Sequence, residues 1–361
     1  MGLIRLLLAL AVVSAHSNSS SFLKLSGGEV AVQAFFIISG FYMAMIAGSY
    51  KSVAVFWLSR YLRLFPAYLV CGLLTLFFHF GVVPYEARVN ELPVAAIAFL
   101  GFTNLTMLFQ DITMFLGVDN TSLHAVAHFQ QSSPPLYQLL LVPQGWSLGL
   151  ELSFYLFVPF LLVRKTSAIL IALLLSAAIK IAIISFGMYY DPWSHRFFPA
   201  ELSTFLLGSL AFRYRGHYPA WASTQFARSV TLTVLIFFIA IFAFVPVAFE
   251  IKRAFLLIFL TLTIANVFEL TKSSNVDQLC GALSYPIYVS HLFVLDYIVP
   301  KVGLPLPSGD VVSTLFAFVA IIVFSILIYF SIERPVEQYR KRLKSSVRRQ
   351  AFHAGIAVEK S

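Results

Sequence analysis

The chain has 361 residues, of which 59% are hydrophobic and only 11% charged, and its mean hydropathy is +0.85. That balance excludes an ordinary soluble domain and leaves an integral, all-α membrane protein of many helices. The net charge of +9 sits in short basic clusters between apolar runs, the pattern of cytoplasmic loops, so no nucleic-acid partner is expected.

The first seventeen residues carry one arginine and a short apolar run, which a cleaved signal peptide would also show. Retained as a helix, which is the expectation here, they place Arg5 and His16 about 16 Å apart along the axis and only about 20° apart in azimuth. Residues 17–28 read as an outer loop. Glu29 to Ile46 read as a returning helix with Glu29, Gln33, Phe36 and Gly40 on one face. Lys51, Arg60 and Arg63 mark a cytoplasmic end ahead of a third span over about 64–82. Residues 83–145, with Pro84, Pro93, Pro134 and Pro135, are the least regular part. The apolar run 94–109 contains Asn104 and reads as re-entrant or interfacial, because as a span it would put every later basic cluster outside.

The fourth span, 144–164, carries Glu151 a little over one turn inside its start. A carboxylate there costs about 2.5–3.5 kcal/mol in hydrocarbon, so it must face protein or water. Ser147, Glu151 and Tyr155 share a face at i+4, and Pro159 removes the helical bond to the carbonyl of Tyr155. A lined polar cavity is expected; the alternative is a buried pair with an arginine. Later spans fall at about 167–188 (with Lys180 inside, snorkelling or paired), 198–212, 230–249, 254–270, 279–299 and 311–332. The outer loop Glu250–Arg253 carries two cations and fits the charge rule badly. The whole gives about ten transmembrane helices with both termini cytoplasmic: one membrane domain over 1–335 and a basic cytoplasmic tail over 336–361. Cys71 and Cys280 lie in or beside apolar runs and imply no disulfide framework. No metal is expected, since paired ligands are missing and His124 and His128 at i+4 are an incidental spacing.

Six segments occur in a familiar order: Arg5-LLLALAVVSA-His16, Val32-QAFFIISG-Phe41, Arg60-YLRLF-Pro66, Trp146-SLGLELSF-Tyr155, Tyr285-PIYVS-His291 and Glu333-Arg334-Pro335. Together they resemble the acyltransferase 3 family, integral-membrane enzymes that O-acylate bacterial surface polysaccharides. Ala31, where the family usually has glycine, and Leu152–Ser153, where it has a polar pair, depart from the pattern. The resemblance implies acyl-CoA, expected to be acetyl-CoA, as donor substrate with no bound cofactor. It implies a polysaccharide or lipid-linked glycan as acceptor, and a multi-pass place in the bacterial inner membrane.

Acyl transfer to a hydroxyl needs a base or an acyl-carrying nucleophile, and histidine suits either role. His16 is the first candidate, with Glu151 expected to orient it as the third group of a triad does. Donor phosphates need cationic, bidentate partners, for which Arg5, Arg60 and Arg63 are the candidates; plain anchoring is the alternative for Arg60 and Arg63. Gln33, Ser39, Trp146, Tyr155, Tyr288 and His291 are expected to support the pocket, with His291 a second catalytic candidate or a structural hydrogen bond. A proton-coupled transporter or flippase is the rival reading, since ionisable groups inside spans also mark relays.

Overall fold

The computed structural model describes residues 1–17, 24–79, 89, 91–119, 122–302 and 311–353, with side chains as far as 343. Expectations for 18–23, Pro84 and the tail beyond 353 lie outside the described residues. The helices are α1 (Gly2–His16), α2 (Gly28–Ile46), α3 (Val53–His79), α4 (Val94–Thr106), α5 (Trp146–Leu161) and α6 (Thr166–Ser185). They continue as α7 (Phe198–Arg213), α8 (Gln225–Ile241), α9 (Phe249–Thr271), α10 (Asn275–Phe293), α11 (Val311–Ile328) and α12 (Arg334–His353). A short antiparallel pair, β1 (Leu116–Val118) with β2 (Leu123–Ala125), interrupts the connection before α5.

Each of the ten spans read from the sequence overlaps a helix, as far as its residues are described. Among the described residues, seven helical stretches are long and apolar enough to cross a membrane. The other three, α1, α5 and α7, have 15 or 16 residues, about 22–24 Å. At 13 residues, α4 is shorter than the roughly 20 that a span needs.

Several boundaries differ from the reading above: the helix of the span read as 230–249 ends at Ile241, and Glu250–Arg253, read as an outer loop, form the first turn of α9. Helix α3 starts at Val53 and runs through Pro66, so Arg60 and Arg63 lie inside it instead of ahead of a span. A π turn over Tyr329–Glu333 joins α11 to α12, so helix continues into the segment read as a tail.

Small residues and buried polar groups fix the packing around the centre. A Cβ on Gly40 would sit 1.8 Å from the Phe205 carbonyl oxygen, and one on Gly208 1.8 Å from that of Ile37. Only glycine lets α2 and α7 approach this closely, and Ser209 Oγ seals the contact by donating to the Gly40 carbonyl at 3.1 Å. Beside it, the fully buried Glu201 accepts from Lys180 Nζ at 2.6 Å, Gln33 Nε2 at 3.0 Å and Thr204 Oγ1 at 2.9 Å. Lys180 is therefore paired, and Gln33 is spent on tying α2 to α7.

The carbonyl of Tyr155, freed by Pro159, accepts from Trp57 Nε1 at 3.1 Å, which satisfies the group that the proline would strand. The two misplaced cations at the start of α9 are also accounted for. Arg253 pairs with Glu29 and Glu250, and Lys252 Nζ donates to the Phe242 carbonyl at 3.0 Å.

Asp111, in the 3-10 turn after α4, is buried and its Oδ1 has no hydrogen-bond partner. Burial pushes its carboxyl up to about 7 from the usual 3.8, against smaller opposing hydrogen bonds from the backbone N–H groups of Asp111 and Ile112. The folded protein thus holds a proton that the unfolded chain releases near 3.8. Stability should be greatest below that value, fall as pH rises toward about 7 and level off above it. Thermal unfolding in detergent across this range should show the decline, and Asp111→Asn should flatten it. An unaltered slope in the variant would assign the pH dependence to another group.

Candidate active site

Five helices around α5 enclose a cavity of about 350 Å³. Helix α1 contributes Arg5, and α3 contributes Arg60 and Arg63, one turn apart. Helix α5 presents Ser147, Glu151 and Tyr155 as one face, α2 adds Ser39, α10 adds Tyr285 and Tyr288, and α12 adds Glu337, Arg340 and Lys341. Glu151 Oε1 accepts from Ser39 Oγ at 2.9 Å and from the Tyr155 hydroxyl, so the carboxylate is held by two neutral donors. Arg60 Nη2 donates to the Tyr50 hydroxyl at 2.8 Å, while its buried Nε has no partner. Lys341 is paired with Glu337 at 2.9 Å. Among the described residues, no carboxylate lies within ion-pair distance of Arg5, Arg60, Arg63 or Arg340. Four guanidinium groups around one cavity make a site for a polyanion.

The far end of α1 carries a second feature. Asp277, in the first turn of α10, accepts from the Gly2 N–H at 2.7 Å and the Leu3 N–H at 2.9 Å, which pins the start of α1 to the start of α10. The two helices then run side by side, and their far ends bring His16 and His291 together. His291 Nε2 and His16 Nδ1 are 3.3 Å apart, with ring centroids at 5.0 Å. His16 Nδ1 also meets the Val12 carbonyl at 2.9 Å, and His291 Nδ1 meets the Tyr288 carbonyl at 2.6 Å. Carbonyl oxygens only accept, so each neutral ring carries its proton on Nδ1. Nε2 of His291 then accepts from His16, and Nε2 of His16 keeps its lone pair. His291 is fully buried while His16 is exposed.

Tyr288, which lines the cavity, also borders this pair, its ring centroid 6.0 Å from that of His291. The Tyr288 hydroxyl lies 2.5 Å from Ser147 Oγ and donates to the Gln144 carbonyl at 2.9 Å, and Gln144 Nε2 donates to the Val289 carbonyl at 2.6 Å. Ser147 and Tyr288 line the cavity, and neither His16 nor His291 does.

The structure therefore brings Arg5, Arg60, Arg63, Ser39, Glu151, Tyr155 and Tyr288 into one lining. His16 and His291 meet each other beyond it. Glu151 and His16 share no hydrogen bond or ion pair, so the expected triad-like pairing does not occur. The reason is axial: Arg5 sits at the level of Glu151, and His16 is three turns further along α1. His291 is the partner that fixes the His16 ring. Gln33 belongs to the Glu201 cluster, and Trp146 stacks under the Arg196 guanidinium at 4.2 Å, outside the cavity lining. Sequence reasoning missed Arg340, Lys341 and Glu337, although the i+4 pairing of Glu337 with Lys341 was visible in an otherwise basic run.

A family model described as an acyltransferase domain, Acyl_transf_3, matches residues 1–330. The chain belongs to this family. No curated protein and no solved structure matches it. The acyltransferase is a multi-pass membrane protein by its seven long apolar helices and its family. The matched region holds the histidine pair and three of the four cavity arginines, and it ends before α12.

Proposed function

We propose that the protein transfers an acyl group, expected to be acetyl, from acyl-CoA to a sugar hydroxyl of an extracytoplasmic polysaccharide or its lipid-linked precursor. The observation that carries this reading is the cavity whose four arginines have no carboxylate within ion-pair distance, bordered by Tyr288, which also meets a histidine pair with an available Nε2. The coenzyme's phosphates supply the missing negative charge. Its long pantetheine arm supplies the reach toward Tyr288, past which the thioester meets His16. There Nε2 of His16 takes the proton of the acceptor hydroxyl as its oxygen attacks the thioester carbonyl. The C–S bond breaks, and the leaving thiolate takes the proton back from His16. Glu151 stays at the donor level, where its charge and its two hydroxyl donors order the cavity wall.

In this reading all ten coincident helices cross a bacterial inner membrane, three as short, protein-surrounded spans. The arginine-lined end and both termini face the cytoplasm, as Arg164, Lys165, Arg213, Arg215 and Lys272 at that end would require. Purified protein in nanodiscs, given labelled acetyl-CoA and a membrane glycan fraction, should move label onto glycan; label that stays on the thioester or goes only to water argues against the acceptor class. Arg63→Lys keeps the charge and loses the planar fork. It should raise the donor KM by about tenfold at unchanged protein level. An unchanged donor KM would return Arg63 to membrane anchoring.

A further inference from the structure

Cations at the mouth of the cavity converge in a way that the fold alone does not explain. Arg60, on α3, and Arg340, on α12, both turn to one neutral hydroxyl. Arg340 Nε donates to Ser59 Oγ at 3.4 Å, and Arg60 Nη2 lies 3.5 Å from the same oxygen. Tyr50 closes the group, its hydroxyl 3.3 Å from Ser59 Oγ and its ring centroid 5.8 Å from the Arg60 guanidinium carbon. Like charges held this close repel, and among the described residues no carboxylate lies within ion-pair distance of either. The buried Arg60 Nε has no partner. Lys341, by contrast, is neutralised by Glu337.

We propose that Arg60 and Arg340 form a phosphate subsite that takes the 3′-phosphate of the coenzyme A moiety, so that α12 completes the donor site from outside the region that the family model matches. The inference rests on the acyl-CoA reading above. The direction of the donor follows from its chemistry and from the order of residues along α3. Ser59 and Arg60 are themselves buried but meet Arg340, beside the exposed Glu337–Lys341 pair that lines the mouth, and Tyr50 of the α2–α3 connection. Arg63 lies one turn deeper, at the level of Arg5 and Glu151. Leu64, whose carbonyl accepts from the Tyr285 hydroxyl at 2.5 Å, leads to Tyr288. The thioester end must point toward His16, which leaves the pyrophosphate to Arg63 and Arg5. The adenosine end, with its extra phosphate monoester, then remains at the mouth. A phosphate monoester carries more charge than a diester and rewards a two-arginine clamp.

The test uses coenzyme A and dephospho-coenzyme A, which lacks only the 3′-phosphate, titrated into the full-length protein. Nanodiscs of phosphatidylcholine leave no anionic headgroup to compete for the arginines. Wild type should prefer coenzyme A, and Arg340→Gln should weaken coenzyme A binding by about tenfold while leaving dephospho-coenzyme A within about twofold. Retained dephospho-coenzyme A binding also certifies that the variant is folded. Arg340→Lys, which keeps the charge, should fall between the two. Coenzyme A affinity unchanged by Arg340→Gln overturns the subsite. So does an equal loss of both ligands in both variants, which would place Arg340 elsewhere on the donor. A wild-type protein that binds neither ligand refutes the acyl-CoA reading itself, which is a different result.

Discussion

His16→Ala should lower acyl transfer by about 10²–10⁴-fold, in a protein that still inserts and still binds coenzyme A. The size of the loss follows from the tautomer set by the two carbonyls: Nε2 of His16 is the ring nitrogen with a lone pair at the exposed end of the pair. A structural role would cost far less, since one lost hydrogen bond is worth only about 1 kcal/mol of stability. His291→Ala should also impair turnover, because it removes the acceptor that fixes the His16 ring. The double variant should be hardly worse than His16→Ala alone, as expected of groups acting as one unit. Glu151→Gln should combine with His16→Ala independently, because the two sit at different levels of the protein. Thiol release from acetyl-CoA by purified variants, with binding of coenzyme A as the integrity check, reads all of these. A His16→Ala enzyme that keeps more than about one-tenth of the wild-type rate would remove His16 from the chemistry.

The largest stability effect is expected at Lys180. Its ammonium is the cation within ion-pair distance of Glu201, a carboxylate with no exposure. Lys180→Met would leave that charge buried against Gln33 and Thr204 alone. Breaking a buried pair from one side costs about 3–5 kcal/mol, whereas replacing both members can be nearly neutral. Lys180→Met should therefore unfold well below the wild type in detergent, and the Lys180→Met, Glu201→Gln double variant should regain most of the loss. Equal unfolding temperatures for the single and double variants would show that the pair contributes nothing. Activity is a poor readout here, since α2 carries both Gln33 and Ser39 and any shift of α2 reaches the cavity.

The helices were legible because crossing a bilayer demands length and apolarity that a sequence cannot disguise. Faces were legible too: Ser147, Glu151 and Tyr155 line the cavity together, as their i+4 spacing requires. Partners were not. Glu201 lies on α7, 168 residues from Gln33, and His291 lies 275 residues from His16, so no local spacing encodes either contact. The start of α3 was missed for a different reason. Arg60 and Arg63 lower the local hydropathy and look like a boundary, yet the helix carries on because the two side chains project into a cavity, where charge is welcome. The basic run around Arg340 has the composition of a membrane anchor, and only its placement over the cavity mouth separates the two uses.

A living membrane is also a capacitor, and any protein that hands material across it risks discharging it. The wall of Tyr288, Ser147 and Gln144 bears on that risk. Its hydroxyls and the Gln144 amide nitrogen are engaged with one another and with backbone carbonyls, while the buried Gln144 Oε1 has no hydrogen-bond partner. If the acyl group is handed over here as proposed, the side chains that stand between cavity and imidazole are also the ones that decide how well the bilayer stays sealed during transfer.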